Sequence, residues 1–260
     1  MSEIFDLTGK VALVTGGNGG IGLGMAEAMA KCGARVAIWG TNADKNAAAV
    51  EQLSAHTEAK SWICNVADAS DVNARMADTL AHFGRIDGCF ANAGVSGRNM
   101  KNGKPAGFWE METEEWKRVL DVNLDGAFYT FRAACKHMQE RGDGGRLVGT
   151  ASLAAVSGQA RGQHYAASKG AMVSMIYALA VEMARYNVTA NVVLPGWIET
   201  AMTERTFAWD KFAANVIPRI PSRRWGQPED FGGIAVYIMS DMSSYHSGDT
   251  FLIDGGYFRF

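Results

Sequence analysis

Residues 10–22 read K-V-A-L-V-T-G-G-N-G-G-I-G, an apolar run with β-branched residues that passes straight into a glycine cluster. Residues 23–32 then carry Ala, Met and Glu at helical spacing, so the order is strand, glycine turn, helix. That order is the context a dinucleotide-binding fingerprint requires. Gly16, Gly20 and Gly22 leave room for backbone N–H groups to approach a pyrophosphate at the positive end of the following helix. A second apolar strand, residues 35–39, follows Gly33.

Working outward, the pattern repeats. Helical stretches near 43–55, 68–83, 113–139, 164–186 and 227–240 are interleaved with apolar strands near 59–63, 88–91, 145–149, 189–194 and 250–254. Strands alternating with helices imply an α/β, Rossmann-like, doubly wound parallel sheet with helices on both faces. No Pro- or Ser-rich linker, repeat or low-complexity tract interrupts it, so residues 1–260 are expected to form a single domain. The one long irregular region is 196–224. Ligands in such sheets sit beyond the carboxyl ends of the strands, where long loops act as lids.

Composition narrows the function classes. The chain has 260 residues, 48% of them hydrophobic and 20% charged, enough to bury a sizeable core. A net charge of -2 leaves no electrostatic footprint for nucleic acid or an anionic membrane. Cys32, Cys64, Cys89 and Cys135 form no C-x-x-C pair, and none of the five histidines falls in a metal-ligand spacing, so no metal is expected. The first ten residues lack a basic region followed by an apolar run, and the expected location is cytoplasmic.

Chemistry concentrates in residues 152–169, S-L-A-A-V-S-G-Q-A-R-G-Q-H-Y-A-A-S-K. Tyr165 and Lys169 are four apart in a helical pattern and share a face. An ammonium about 5 Å from a phenolate stabilises it by roughly 3 kcal/mol at an effective dielectric of about 20. His164 is adjacent to Tyr165 and points in a different direction.

Six motifs in order resemble the short-chain dehydrogenase/reductases from Lys10 to about Tyr257. Residues 15–22 match the T-G-x-x-x-G-x-G turn, and Asn92, Ala93 and Gly94 match the N-A-G after the fourth strand. Asn123 stands where the family has its catalytic asparagine, and Ser152 precedes Tyr165 in Y-x-x-x-K by thirteen residues. Pro195, Gly196 and Thr200 match P-G-x-x-x-T, and residues 254–256 match the late D-G-G. The resemblance implies an NAD(P)(H)-dependent oxidoreductase that interconverts a secondary alcohol and a ketone. Tyr165 would be the acid/base and Ser152 would orient the substrate oxygen. Lys169 would lower the phenol pKa and hold the nicotinamide ribose, and Asn123 would position a relay water. The implied cofactor contacts are Gly16, Asn18, Gly20, Ile21, Gly22, Thr41, Asn65, Val66, Asn92, Ala93, Gly94, Tyr165, Lys169, Pro195, Gly196, Ile198 and Thr200.

Two departures bear on the cofactor. Gly40 occupies the family's acidic position after the second strand and Thr41 its common arginine position. No carboxylate repels a 2′-phosphate and no arginine attracts one, while Lys45 lies one helical step too far along. The balance tips to NADP with NAD kept open. Asn65-Val66 replaces the family's Asp-Val at the adenine, and the Asn65 carbonyl can still accept from the adenine amino group.

The substrate walls are expected from Leu153, Trp197, Met202 and Phe207, which points to an apolar or aromatic ketone or alcohol. Arg98, Arg161 and Arg205 are candidates to meet a carboxylate or phosphopantetheine. A 3-oxoacyl-(acyl-carrier-protein) or thioester reductase is the alternative, and a non-catalytic cofactor-binding regulatory protein is the alternative of another class. The resemblance implies a homotetramer, and the aromatic tail 257–260 is expected at a subunit contact.

Overall fold

The computed structural model describes residues 3–97, 100–101 and 104–260. Seven strands form one parallel sheet: β1 (Val11–Thr15), β2 (Arg35–Gly40), β3 (Ala59–Ile63), β4 (Gly88–Ala91), β5 (Gly145–Thr150), β6 (Val188–Pro195) and β7 (Thr250–Ile253). Their spatial order is β3-β2-β1-β4-β5-β6-β7. The order reverses between β1 and β4, which pair in register from Ala12 with Gly88 to Val14 with Phe90. A crevice opens beyond the carboxyl ends of those two strands.

Alternation along the strands builds two cores. Val11 and Leu13 face one layer with α3 (Ala69–Phe83), α5 (Gly126–Arg141) and α6 (Gln163–Met183), where Met76, Phe131 and Ile176 are buried. Ala12 and Val14 face the other layer with α1 (Gly20–Lys31), α2 (Ala43–Ser54) and α9 (Gly232–Met239), where Met29, Leu53 and Phe231 are buried. Both faces of the sheet are covered, which is why its strands read as continuous apolar runs. Each fully buried Phe, Leu or Met side chain contributes about 1.5–3 kcal/mol.

Two expected elements differ. The helix near 113–139 is broken into α4 (Thr113–Leu120), a π-helical turn (Asp121–Asp125) and α5. The wider turn brings Asn123 inward, where its amide bonds the backbone of Val95. The irregular stretch 196–224 contains α7 (Glu204–Phe207), α8 (Asp210–Val216) and a 3-10 turn (Ile217–Arg219). Among the described residues no helix is long and apolar enough to cross a membrane.

Candidate active site

The crevice is a cavity of about 320 Å³. Its cofactor wall begins at the glycine turn, where Gly16 and Gly20 adopt φ of 63° and 52°. These are left-handed values that glycine takes without strain. A Cβ on Gly22 would stand 2.4 Å from the Gly16 carbonyl oxygen, so that position admits no side chain. Asn42 and Asp68 cap α2 and α3 with their side chains, whereas Gly19 gives α1 no such cap. The first N–H groups of α1 therefore remain for a ligand, and their chemistry suits a pyrophosphate.

Thr15 ties this turn to β4: its Oγ1 accepts from the Asn92 and Ala93 N–H groups, both at 3.0 Å. Asn92 Nδ2 donates back to the Thr15 and Gly16 carbonyls at 3.1 and 3.3 Å. The chain crosses the floor of the crevice without a side chain at Gly94. A Cβ there would lie 3.1 Å from Asn123 Oδ1 and 3.4 Å from Lys169 Nζ.

The catalytic candidates converge on that floor. Ser152 begins a short 3-10 turn after β5, its Oγ accepting from the Ala154 N–H at 3.1 Å, and it lines the cavity with Tyr165. Burial raises the Tyr165 pKa above its ordinary value, and the neighbouring Ser152 hydroxyl offsets part of the rise. Lys169 is 3% exposed, and burial pushes its ammonium down to about 8. Its Nζ donates to the Thr150 carbonyl at 2.8 Å and lies 5.7 Å from the centre of the Tyr165 ring. Asn123 is fully buried, with Oδ1 accepting from the Val95 N–H at 2.7 Å. Its Nδ2 donates to the Val95 carbonyl and to Ser168 Oγ, so the side chain clamps the start of the loop after β4.

Most expected cofactor contacts line this cavity: Gly16, Asn18, Gly20 and Ile21 on the turn, Asn92 to Gly94 on the floor, and Pro195, Gly196, Ile198 and Thr200 opposite. Gly22 lies directly beneath the turn. Thr41, Asn65 and Val66 sit outside the cavity. Asn65 Oδ1 accepts from the Ala67 N–H at 3.2 Å, and Val66 packs against Gly126. Lys45 does line the cavity, contrary to the expectation from helical spacing, because a long flexible side chain reaches beyond its backbone position. Thr203 also lines it and was not singled out from sequence. Its Oγ1 donates to the Ile198 carbonyl at 2.6 Å, a local link that no motif announces.

The expected apolar pocket is rearranged. Met202 lines the cavity, but Leu153 is buried, and Trp197 and Phe207 turn toward other rings. Phe207 stacks on Trp225 with centroids 4.0 Å apart, while Trp197 meets Phe212 and Tyr257 edge-on at 5.1 and 6.1 Å. Aromatic rings satisfy one another in this way when they can leave water together. Arg98 lies outside the described residues, as does the side chain of Arg205, and Arg161 is exposed. His164 is fully buried against the Gly97 backbone, 3.7 Å from Glu115, and so does not face the cavity.

A larger cavity, about 640 Å³, lies at the opposite end of the sheet. Most of its charges are spent on one another, Lys10 with Asp241 at 2.6 Å and Arg141 with Asp87 at 3.2 Å. Ser152, Tyr165 and Lys169 line the smaller one.

A family model described as enoyl-(acyl carrier protein) reductase matches residues 16–258. The chain is 36% identical over 264 residues to a 2-dehydro-3-deoxy-D-gluconate 5-dehydrogenase of Pseudoalteromonas atlantica, covering 99% of each. A putative NAD(P)-dependent gluconate 5-dehydrogenase from Beutenbergia cavernae, solved with bound NADP at low occupancy, superimposes with a TM-score of 0.91 at 35% identity, over 99% of this chain and 100% of that one. A short-chain type dehydrogenase/reductase from Mycobacterium marinum gives 0.90 at 33% identity, covering 98% of each. With the glycine turn, the N-A-G floor and the Tyr165-Lys169 pair in their places, the chain belongs to the short-chain dehydrogenase/reductase family.

Proposed function

We propose that the protein is an oxidoreductase that uses NADP or NAD to interconvert a secondary alcohol and a ketone. The observation that carries this reading is that Ser152, Tyr165 and buried Lys169 line one crevice, with the Lys169 ammonium beside the Tyr165 ring. When bound, the dinucleotide supplies or accepts the hydride. Tyr165 Oη gives a proton to the carbonyl oxygen in reduction and takes one from the hydroxyl in oxidation. Ser152 Oγ orients that oxygen against the phenol. Lys169, held by the Thr150 carbonyl, places a positive charge beside the phenol ring, which favours the phenolate. Asn123 Oδ1 and Lys169 Nζ both border the space beside Gly94 that a Cβ would fill, where a water would extend the proton path.

The substrate we propose is a polar hydroxy or keto acid of the sugar-acid class. The gluconate-type names of the similar proteins support it, as does the withdrawal of Trp197 and Phe207 from the crevice. Thr200 keeps a polar side chain on that wall. The test is reduction of a panel of sugar-acid, aliphatic, cyclic and aromatic ketones and acyl thioesters, followed by nicotinamide absorbance with NADH and NADPH in parallel. Turnover of sugar-acid ketones supports the reading. Turnover of acyl thioesters alone would replace it with the carrier-protein reductase, and wild-type binding of cofactor without any turnover would replace it with a regulatory binder.

We also propose a homotetramer. Phe128 on α5 and Tyr177 and Val181 on α6 are exposed apolar side chains on the long helices, and Phe260 is 75% exposed at the tail. Deleting residues 258–260 and measuring mass in solution tests it. An unchanged tetramer with unchanged activity would count against a role for the tail.

A further inference from the structure

The larger cavity, at the amino ends of the strands, is lined by four cations and three carboxylates: Lys10, Arg85, Arg141 and Arg146 with Asp87, Asp143 and Asp241. Three of the cations are matched. Lys10 bonds Asp241 at 2.6 Å, Arg85 bonds Asp87 and Asp143, and Arg141 lies 3.2 Å from Asp87 and against Asp143. Arg146 is left over. Its nearest carboxylate among the described residues is Asp241 at 3.9 Å, beyond hydrogen-bonding distance, and that group is 88% exposed and already bonded to Lys10.

The Arg146 side chain is 11% exposed, and burial pulls its pKa below the usual arginine value. Nε donates to the Ile238 carbonyl at 3.1 Å, Nη2 to the Ser240 carbonyl at 3.4 Å and Nη1 to the Gly145 carbonyl at 3.0 Å. The first two bonds cap the carboxyl end of α9. Together the three use three of the five guanidinium N–H groups and leave one on each terminal nitrogen. Carbonyl dipoles offset part of a buried charge, and an anion is needed to cancel it. In register with Arg146 on β6 stands Thr189, 6% exposed, whose Oγ1 is buried and makes no hydrogen bond among the described residues. Both residues line the cavity, so an unmatched cation and an unmatched hydroxyl are neighbours on one wall.

We propose that this cavity is a second ligand site, which takes the carboxylate of a small hydroxy acid on Arg146 and Thr189. The charges select the class. One unmatched positive charge is cancelled by one negative charge, whereas a phosphate dianion would bring a second to face Asp87 and Asp143. A carboxylate can accept from both free guanidinium N–H groups. The volume, about 640 Å³, exceeds what a bare ion needs and suits a small organic molecule. Asn187, Ser244 and Tyr245 on the same lining offer hydrogen-bonding groups to its hydroxyls.

The test is the thermal unfolding midpoint as a function of sodium gluconate, with sodium phosphate and sodium chloride at matched ionic strength, read as apparent Kd values. Wild type is expected to be stabilised most by gluconate and least by chloride. Arg146→Gln is expected to weaken gluconate about tenfold or more, and Thr189→Val about threefold. Asp241→Asn removes an exposed carboxylate from the rim and leaves Arg146 with its carbonyl partners. It is expected to tighten gluconate about threefold. If Arg146 served only as the cap of α9, Asp241→Asn would bind gluconate as the wild type does, and that result would overturn the proposal. An unchanged gluconate response in Arg146→Gln or Thr189→Val would place the anion elsewhere, the cofactor crevice included, and would also overturn it. Should Arg146→Gln fail to fold, Thr189→Val and Asp241→Asn decide. Equal stabilisation by all three salts, or Arg146-dependent binding of phosphate in preference to gluconate, would likewise contradict it.

Discussion

Between Gly16 and Gly94, the cofactor wall of the crevice is made of backbone held by backbone and by short polar side chains: Thr15 with Asn92 and Ala93, Asn92 with Gly16, Asn123 with Val95. Between Trp197 and Trp225 the support behind the opposite wall is made of rings resting on rings, Phe207 on Trp225 and Phe212 against Trp197. Hydrogen bonds and forbidden Cβ positions specify residue type at nearly every point of the first wall. Stacked rings specify bulk and little else, so the second wall can be recut for a new substrate while the first holds the same chemistry.

The largest effect that would break this contrast belongs to Lys169. Lys169→Met is expected to lower kcat/KM by about two to four orders of magnitude. The same lysine is costly to bury, and the sign can be followed by pH. Its folded pKa, about 8, lies below the 10.5 of the free side chain, so the unfolded chain holds the extra proton between those values. The penalty is fully present below about pH 8 and is relieved as pH rises toward 10.5. Wild type should therefore gain about 3 kcal/mol relative to Lys169→Met between pH 7 and 10.5, measured by denaturant unfolding. A flat difference would mean that the lysine is not desolvated.

Gly22→Ala comes next. A Cβ 2.4 Å from the Gly16 carbonyl forces the turn open, and cofactor Kd is expected to weaken roughly tenfold or more, with a loss of about 1–3 kcal/mol in stability. On the ring wall, Phe207→Ala should raise substrate KM about three- to tenfold and leave cofactor Kd within about twofold. If Phe207→Ala weakened cofactor as much as Gly22→Ala, the two walls would not be separable. The smallest effect is the cofactor preference, where the kcat/KM values with NADPH and NADH should differ by less than about a hundredfold, as expected when no buried charge decides.

The strand-turn-helix at residues 10–32 and the alternation after it were legible because each rests on local chemistry: glycines that alone fit, and apolar runs that must be covered on both faces. The π-helical turn at Asp121–Asp125 was not, since D-V-N-L-D reads as ordinary helix and the partners of Asn123, Val95 and Ser168, lie outside that segment. Lys45 was misplaced by counting helical steps, which locates a Cα and not an ammonium at the end of four methylenes. Trp197 and Phe207 are expected in the substrate pocket from their place beyond Pro195, and nothing local reports that each has other rings to meet. Tyr165, Ser152 and Lys169 were legible as a group because together they match one family pattern, and the structure brings all three to one cavity.

The most direct measurement is the single-turnover rate of Tyr165→Phe with a sugar-acid ketone, alongside its Kd for NADPH. A fall of about two to four orders of magnitude in rate with Kd unchanged within about twofold is the expected result if the phenol hydroxyl moves the proton as proposed. A wild-type rate in that variant would contradict Tyr165 as the acid/base.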